Sequence, residues 1–340
     1  MLVRVPDYFD QFHCLAGACP HSCCEKWEVV IDEESADRYS KECGALGEKL
    51  RAAMCRDAEG DVCFPLNGGR CPFLDAENLC EIHRPLGEEA TSVTCREHPR
   101  FTEDYGAFRE ITLSASCPAA NALLLGSGEP LRFIERVTDE PEEEGDEWLK
   151  YLLPLREKLL ELLQDRNRSL KLRMADFLEL AAAAQALLDE ERVEELPALA
   201  AAWSGGAANW RPELPEGMLE FLDSLEILEK DWAELLSGVK SADLSEPNGK
   251  NDDALERIAV YFAFRYLLKA VNDGDLLSRA QLCVAAALTI ERLGGSCGLA
   301  EALRRFSCEV EHSEENLEEL LGAFWQGTLC VLPFENDLRL

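Results

Sequence analysis

The stretch Trp148-Leu149-Lys150-Tyr151-Leu152-Leu153-Pro154-Leu155-Arg156-Glu157-Lys158-Leu159-Leu160-Glu161-Leu162 decides the fold class. Trp148, Leu152, Leu155, Leu159 and Leu162 recur at intervals of three and four, which places them on one face of an α-helix. Similar faces recur at Met174 to Leu188, Met218 to Leu236, Leu255 to Ala270 and Leu276 to Leu293. Breakers separate them: Ser204-Gly205-Gly206, Pro212 with Pro215, Pro247-Asn248-Gly249 and Asn272-Asp273-Gly274. Leu293-Gly294-Gly295-Ser296 reads as a helix C-cap. The fold class is therefore mainly α, with an all-helical region over 148–340.

Upstream lies the run Thr-Asp-Glu-Pro-Glu-Glu-Glu-Gly-Asp-Glu, which reads as a solvated acidic linker over 138–147. Residues 1–137 read as a cysteine-rich metal-binding module with short strands. Trp27 to Ile31 and Phe108 to Leu113 are its strand segments, and 33–53 and 119–125 look helical. The loop Leu125-Gly126-Ser127-Gly128-Glu129-Pro130 has two glycines but no helix after it, so no dinucleotide-type fingerprint forms.

Charge and compartment narrow the function. The chain carries 34 basic and 66 acidic residues, a net charge of -32. Such a surface repels phosphate, which argues against nucleic acid and anionic membrane and favours a lysine-bearing partner. The N-terminal residues 1–7 lack a signal-type apolar segment, and no stretch approaches the roughly 18 apolar residues of a membrane helix. The expectation is a cytoplasmic protein whose thiols stay reduced.

Fifteen cysteines are present, and 11 of them precede residue 118. Eight fall in four blocks: Cys14, Cys19, Cys23 and Cys24; Cys71-Pro72-Phe73-Leu74 closing at Cys80; Cys95-Arg96-Glu97-His98-Pro99-Arg100; and Leu113-Ser114-Ala115-Ser116-Cys117-Pro118. Short intervals let several sulfurs converge at little loop-closure cost, and Pro follows Cys19, Cys71 and Cys117. An iron–sulfur cluster takes thiolates, whereas zinc accepts Cys with His, and His21 and His83 lie in the region. A buried core of reduced thiols is the plainer alternative. The radical spacing Cys-x3-Cys-x2-Cys is absent, because Lys26 stands at its third position. Cys43, Cys55 and Cys63 have no partner at ligand spacing, although Cys63 is near enough to Cys71 to be an outside candidate, and Cys283, Cys297, Cys308 and Cys330 read as small buried hydrophobes.

The four blocks resemble those of the flagellin lysine N-methylase family, whose N-terminal half also resembles small cysteine-rich proteins that chelate zinc or iron. Val260-Tyr261-Phe262-Ala263-Phe264-Arg265-Tyr266 is similar to that family's aromatic-rich helix. Lys26 stands where the family commonly has Gly, and His98 where it has an aromatic residue. The resemblance implies an S-adenosylmethionine-dependent methyltransferase for flagellin lysines, with a 4Fe–4S cluster on the shared cysteines and zinc as the alternative metal.

Other groups have two readings each. Arg96 and Arg100 could clamp the donor's carboxylate, or bond loop carbonyls instead. Arg265 is read as paired with a buried carboxylate, with contact to a ligand as the other reading. Tyr105, Tyr261 and Tyr266 are candidate hydroxyls beside the substrate amine, and Trp27 could cover a ligand or simply pack. The rival function is a non-catalytic iron–sulfur or zinc module for redox sensing or metal handling, or an electron-transfer partner.

Overall fold

A computed structural model describes residues 1–25, 29–57, 60–126, 128–206, 209–241 and 251–333. Lys26, Trp27, Ser127 and the breaker Pro247-Asn248-Gly249 lie outside them. The fold is mainly α with short strands. By contacts it divides into two units: 1–10, 102–112 and 121–340 in one, and 11–101 with 113–120 in the other. Among the described residues no helix is long and apolar enough to cross a membrane.

A four-stranded sheet runs in the order Arg100–Asp104, Phe108–Leu113, Leu2–Pro6, Phe133–Val137. Leu2–Pro6 runs parallel to Phe108–Leu113, with Leu2 opposite Phe108, and antiparallel to Phe133–Val137, with Leu2 opposite Val137. Alternation buries Phe108, Glu110 and Thr112 on one face. The exposed acidic stretch after Phe133–Val137 leads into a helix of the same unit, so it joins two parts of one body.

Helix Leu149–Gln164 buries Leu152, Leu155, Leu159 and Leu162 as its periodicity requires. Arg156 lies on the same face, and its guanidinium clamps Glu110 through two 2.6 Å hydrogen bonds. The bidentate pairing offsets the cost of taking both charges out of water. Helices Asp252–Tyr266 and Leu277–Cys297 are buried nearly all round, the signature of central helices. Each fully buried Leu or Phe contributes about 1.5–3 kcal/mol, so these two helices dominate the core.

Two sequence expectations change. The face expected over Met218 to Leu236 is two helices, Met218–Ser224 and Trp232–Ser241. Leu293 to Ser296 is no cap: the helix runs on to Cys297, and Gly298 ends it at φ +85°. Gly294 serves close approach instead, since a Cβ there would lie 3.3 Å from the Leu299 Cα.

The smaller unit has its own core of Ile31, Tyr39, Leu50, Phe64, Phe73, Ile82 and Ala90, with Cys71 and Cys80 packed against it. A three-stranded antiparallel sheet runs in the order Val29–Val30, Val62–Phe64, Cys55–Arg56. Helices Glu33–Lys41 and Gly44–Ala53 complete the predicted helical stretch. Asp32 starts the first of these, accepting from Ser35 N–H at 2.9 Å and from Val93 N–H at 2.8 Å.

Candidate functional site

All eight cysteines picked out by spacing fall in the smaller unit. Backbone contacts bring the blocks together. Cys71 N–H donates to Cys24 C=O at 2.8 Å, and Arg70 donates to Asn78 Oδ1 at 2.7 Å while pairing with Glu25. Cys95 sits on helix Val93–Glu97, whose cap Ser92 accepts from its amide at 3.4 Å. Ser114 N–H bonds Pro99 C=O at 2.7 Å, which ties the fourth block to the third.

The thiols sense one another's charge. Burial pushes Cys71 up to about 12 and Cys95 up to about 11, and neighbouring sulfurs, Cys24 and Cys80 among them, add to both shifts. Cys19, Cys80 and Cys117 are also raised by burial, with Cys14, Cys19 or Cys24 contributing. Cys24 runs the other way, drawn down to about 7 by a hydrogen bond from Cys23, whose own thiol is raised.

This donor set fits a thiolate-held centre by its chemistry: many soft sulfurs, five of them half-buried, with Cys71 and Cys80 packed against an apolar core. The buried hydroxyl of Tyr39 adds to the fit. The residue is 1% exposed, the hydroxyl has no hydrogen-bond partner among the described residues, and burial followed by the Cys95 and Cys80 charges raises it. A cluster sulfur would give that donor an acceptor. Among the described residues, however, no three His, Cys, Asp or Glu side chains stand close enough together to hold a metal ion. The sulfurs are neighbours, not yet a coordination shell. His21 and His83 are exposed.

Arg96 bonds loop carbonyls, donating to Thr91 C=O at 2.9 Å and to Glu89 C=O at 3.4 Å. Arg100 donates to Arg96 C=O at 3.5 Å and stacks over Phe12 at 5.7 Å. Of the four cysteines expected to be buried hydrophobes, Cys283 is buried, Cys297 and Cys308 are half-buried and Cys330 is exposed.

In the larger unit, Arg265 has the carboxylate partner expected of it. Its Nε lies 3.0 Å from Glu311 Oε1, and both groups are buried. Glu311 also accepts from Tyr261 Oη at 3.1 Å, Tyr266 Oη at 3.0 Å and Ser307 Oγ at 2.6 Å. Burial raises both tyrosines, so they remain neutral donors. Glu311 ends the π-helical turn Ser307–Glu311, a rare geometry that recurs at functional sites. Sequence periodicity gave no sign of this turn.

Glu309 lies in the same turn. Burial drives its carboxyl up to about 7 against the pull of two amide donors, Leu228 at 2.9 Å and Glu229 at 2.7 Å. The folded state therefore holds this proton to higher pH than the unfolded chain, whose carboxyl titrates near 4.5. Its contribution is present at low pH and lost as pH rises from 4.5 through about 7. Urea midpoints measured across that window should fall with pH in the wild type and fall less steeply in Glu309→Gln.

Residues 156–332 match the family described as FliB lysine N-methylase C-terminal domain. "Lysine-N-methylase" of Salmonella choleraesuis (strain SC-B67), the protein of that name in Salmonella typhimurium (strain LT2) and "Flagellar biosynthetic protein FliU" of Salmonella muenchen are each 27% identical over 140 residues. That stretch is 39% of this chain, 35% of either lysine-N-methylase and 83% of the flagellar protein. It thus spans about a third of the length of the two lysine-N-methylases. No solved structure matches.

Proposed function

The chain belongs to the FliB lysine N-methylase family through the C-terminal domain matched by residues 156–332, and from that premise we propose that it methylates lysine side chains of a protein, with flagellin as substrate and S-adenosylmethionine as donor. The family match carries this reading. Two of the relatives are named lysine-N-methylases and a third bears a flagellar name. In the reaction, the neutral lysine Nζ attacks the sulfonium methyl, the carbon–sulfur bond breaks toward sulfur, and the amine proton leaves. S-adenosylhomocysteine is the other product.

A 4Fe–4S cluster would be held by cysteines from among Cys14, Cys19, Cys23, Cys24, Cys71, Cys80, Cys95 and Cys117, with zinc as the alternative. When bound, such a cluster supplies one-electron chemistry and a thiolate-held scaffold. The net charge of -32 attracts lysine-bearing segments, an attraction that salt screens. Reaction in the cytoplasm fits the reduced thiols.

Flagellin co-expressed with this protein should gain mass in steps of about 14 Da, one per methyl by the arithmetic of CH2 addition, on lysine peptides alone. The gain should vanish without the protein and weaken with salt in a purified assay. Unmodified flagellin beside soluble, metal-loaded protein would favour a binding module.

A further inference from the structure

Cys55 and Cys63 face each other across the hairpin of the smaller unit. Their Cα atoms are register partners on antiparallel strands, and their sulfurs stand 3.6 Å apart. Directly opposed antiparallel residues have Cα atoms about 4.5–5.5 Å apart, inside the range a disulfide spans, so no backbone movement is required. The turn locks that register: Asp57 Oδ1 accepts from Gly60 N–H at 2.8 Å and from Asp61 N–H at 2.9 Å, and Arg56 bonds Gly60 C=O. Cys55 is exposed and Cys63 is 1% exposed, so one sulfur meets solvent while the other waits behind it.

We propose that Cys55 and Cys63 form a reversible dithiol–disulfide site, separate from the eight candidate metal thiols, that exchanges with low-molecular-weight disulfides. The Cys55 thiolate attacks a small disulfide, forming a mixed disulfide and releasing one small thiolate. The Cys63 thiolate then attacks the Cys55 sulfur, forming the intramolecular bond and releasing the second. Two protein thiols are oxidised, one small disulfide is reduced to two thiols, and two protons pass to the products. The bond spans eight positions of chain, so little loop entropy is at stake and small-thiol poise sets its state. Phe64, next to Cys63, packs on Phe73 at 4.6 Å and on Tyr39 at 5.8 Å, which places the hairpin against the core beneath Cys71 and Cys80.

The test is a redox titration of the whole protein as isolated, in mixtures of reduced and oxidised glutathione, followed by acid quench, alkylation and tryptic mapping. Cleavage after Arg51, Arg56 and Arg70 puts Cys55 and Cys63 on separate peptides, 52–56 and 57–70, so a disulfide between them appears as one linked species. The expected result is that this species rises from near zero to the main form as the mixture becomes oxidising, and is released on reduction. Cys55→Ser should abolish it without changing the iron, sulfide or zinc content. Separately alkylated peptides throughout the series, a link that forms only in urea, or Cys63 linked instead to one of the eight would each overturn the proposal. The wild-type map decides even if the variant fails to fold.

Discussion

Arg265→Met is expected to cost the fold about 3–5 kcal/mol, because it leaves the Glu311 carboxylate buried with no cation beside it. Three hydroxyls would still donate to Glu311, but hydroxyl dipoles do not replace a full charge where water is excluded. Arg265 also bonds the Tyr266 hydroxyl at 3.0 Å and Thr112 Oγ1 at 3.3 Å, so the loss reaches the sheet strand Phe108–Leu113. The double variant Arg265→Met with Glu311→Leu should regain little or none of the loss. It removes the stranded charge but orphans the Tyr261, Tyr266 and Ser307 hydroxyls, each at about 1–3 kcal/mol. Urea unfolding followed by far-ultraviolet circular dichroism gives both numbers. A single variant within about 1 kcal/mol of wild type would show that the network is wetter than its burial indicates.

The sequence made the helices legible because their cores repeat every three to four residues. Leu152, Leu155, Leu159 and Leu162 needed no other information. It also favoured a buried carboxylate partner for Arg265 over contact with a ligand, since a lone charge amid Tyr261, Phe262, Phe264 and Tyr266 is costly. The identity of the partner was not legible. Glu311 lies 45 positions after Tyr266 and points inward through a π turn that no 3.6-residue pattern reveals. The four-stranded sheet was hidden for a similar reason, because Leu2–Pro6 pairs with strands more than 100 positions away. Glycine misled at Gly294: a residue that reads as a stop is there to let Leu299 approach, and only coordinates separate the two uses. In the smaller unit the eight cysteines stood out as blocks. The facing pair Cys55 and Cys63 did not, because it depends on a hairpin register set by a turn.

Replacing Cys24, Cys71, Cys80 or Cys95 by Ser should strip the protein of its metal, whereas Cys283→Ser and Cys330→Ser should retain it. The first four are held near one another by the Cys71–Cys24 backbone bond, the Cys95 helix and the core against which Cys71 and Cys80 pack. A serine hydroxyl ionises far above neutral pH and is a hard ligand, so each change removes a soft anionic donor that its neighbours cannot replace. Cys283 lies in the larger unit and bonds Arg279 C=O at 3.0 Å, and Cys330 is exposed. Neither has a cysteine within two residues of it. The measurement is iron, acid-labile sulfide and zinc per chain on anaerobically purified protein, with the visible spectrum of the same samples. Brown wild type with iron and sulfide, colourless protein from the first group and brown protein from the second is the expected pattern. Colourless wild type with stoichiometric zinc would replace the iron–sulfur reading by a structural zinc site. Equal loss from both groups would mean that the centre is not where the clustered thiols place it. The far-ultraviolet circular dichroism of each variant is the control that metal, and not folding, has been lost.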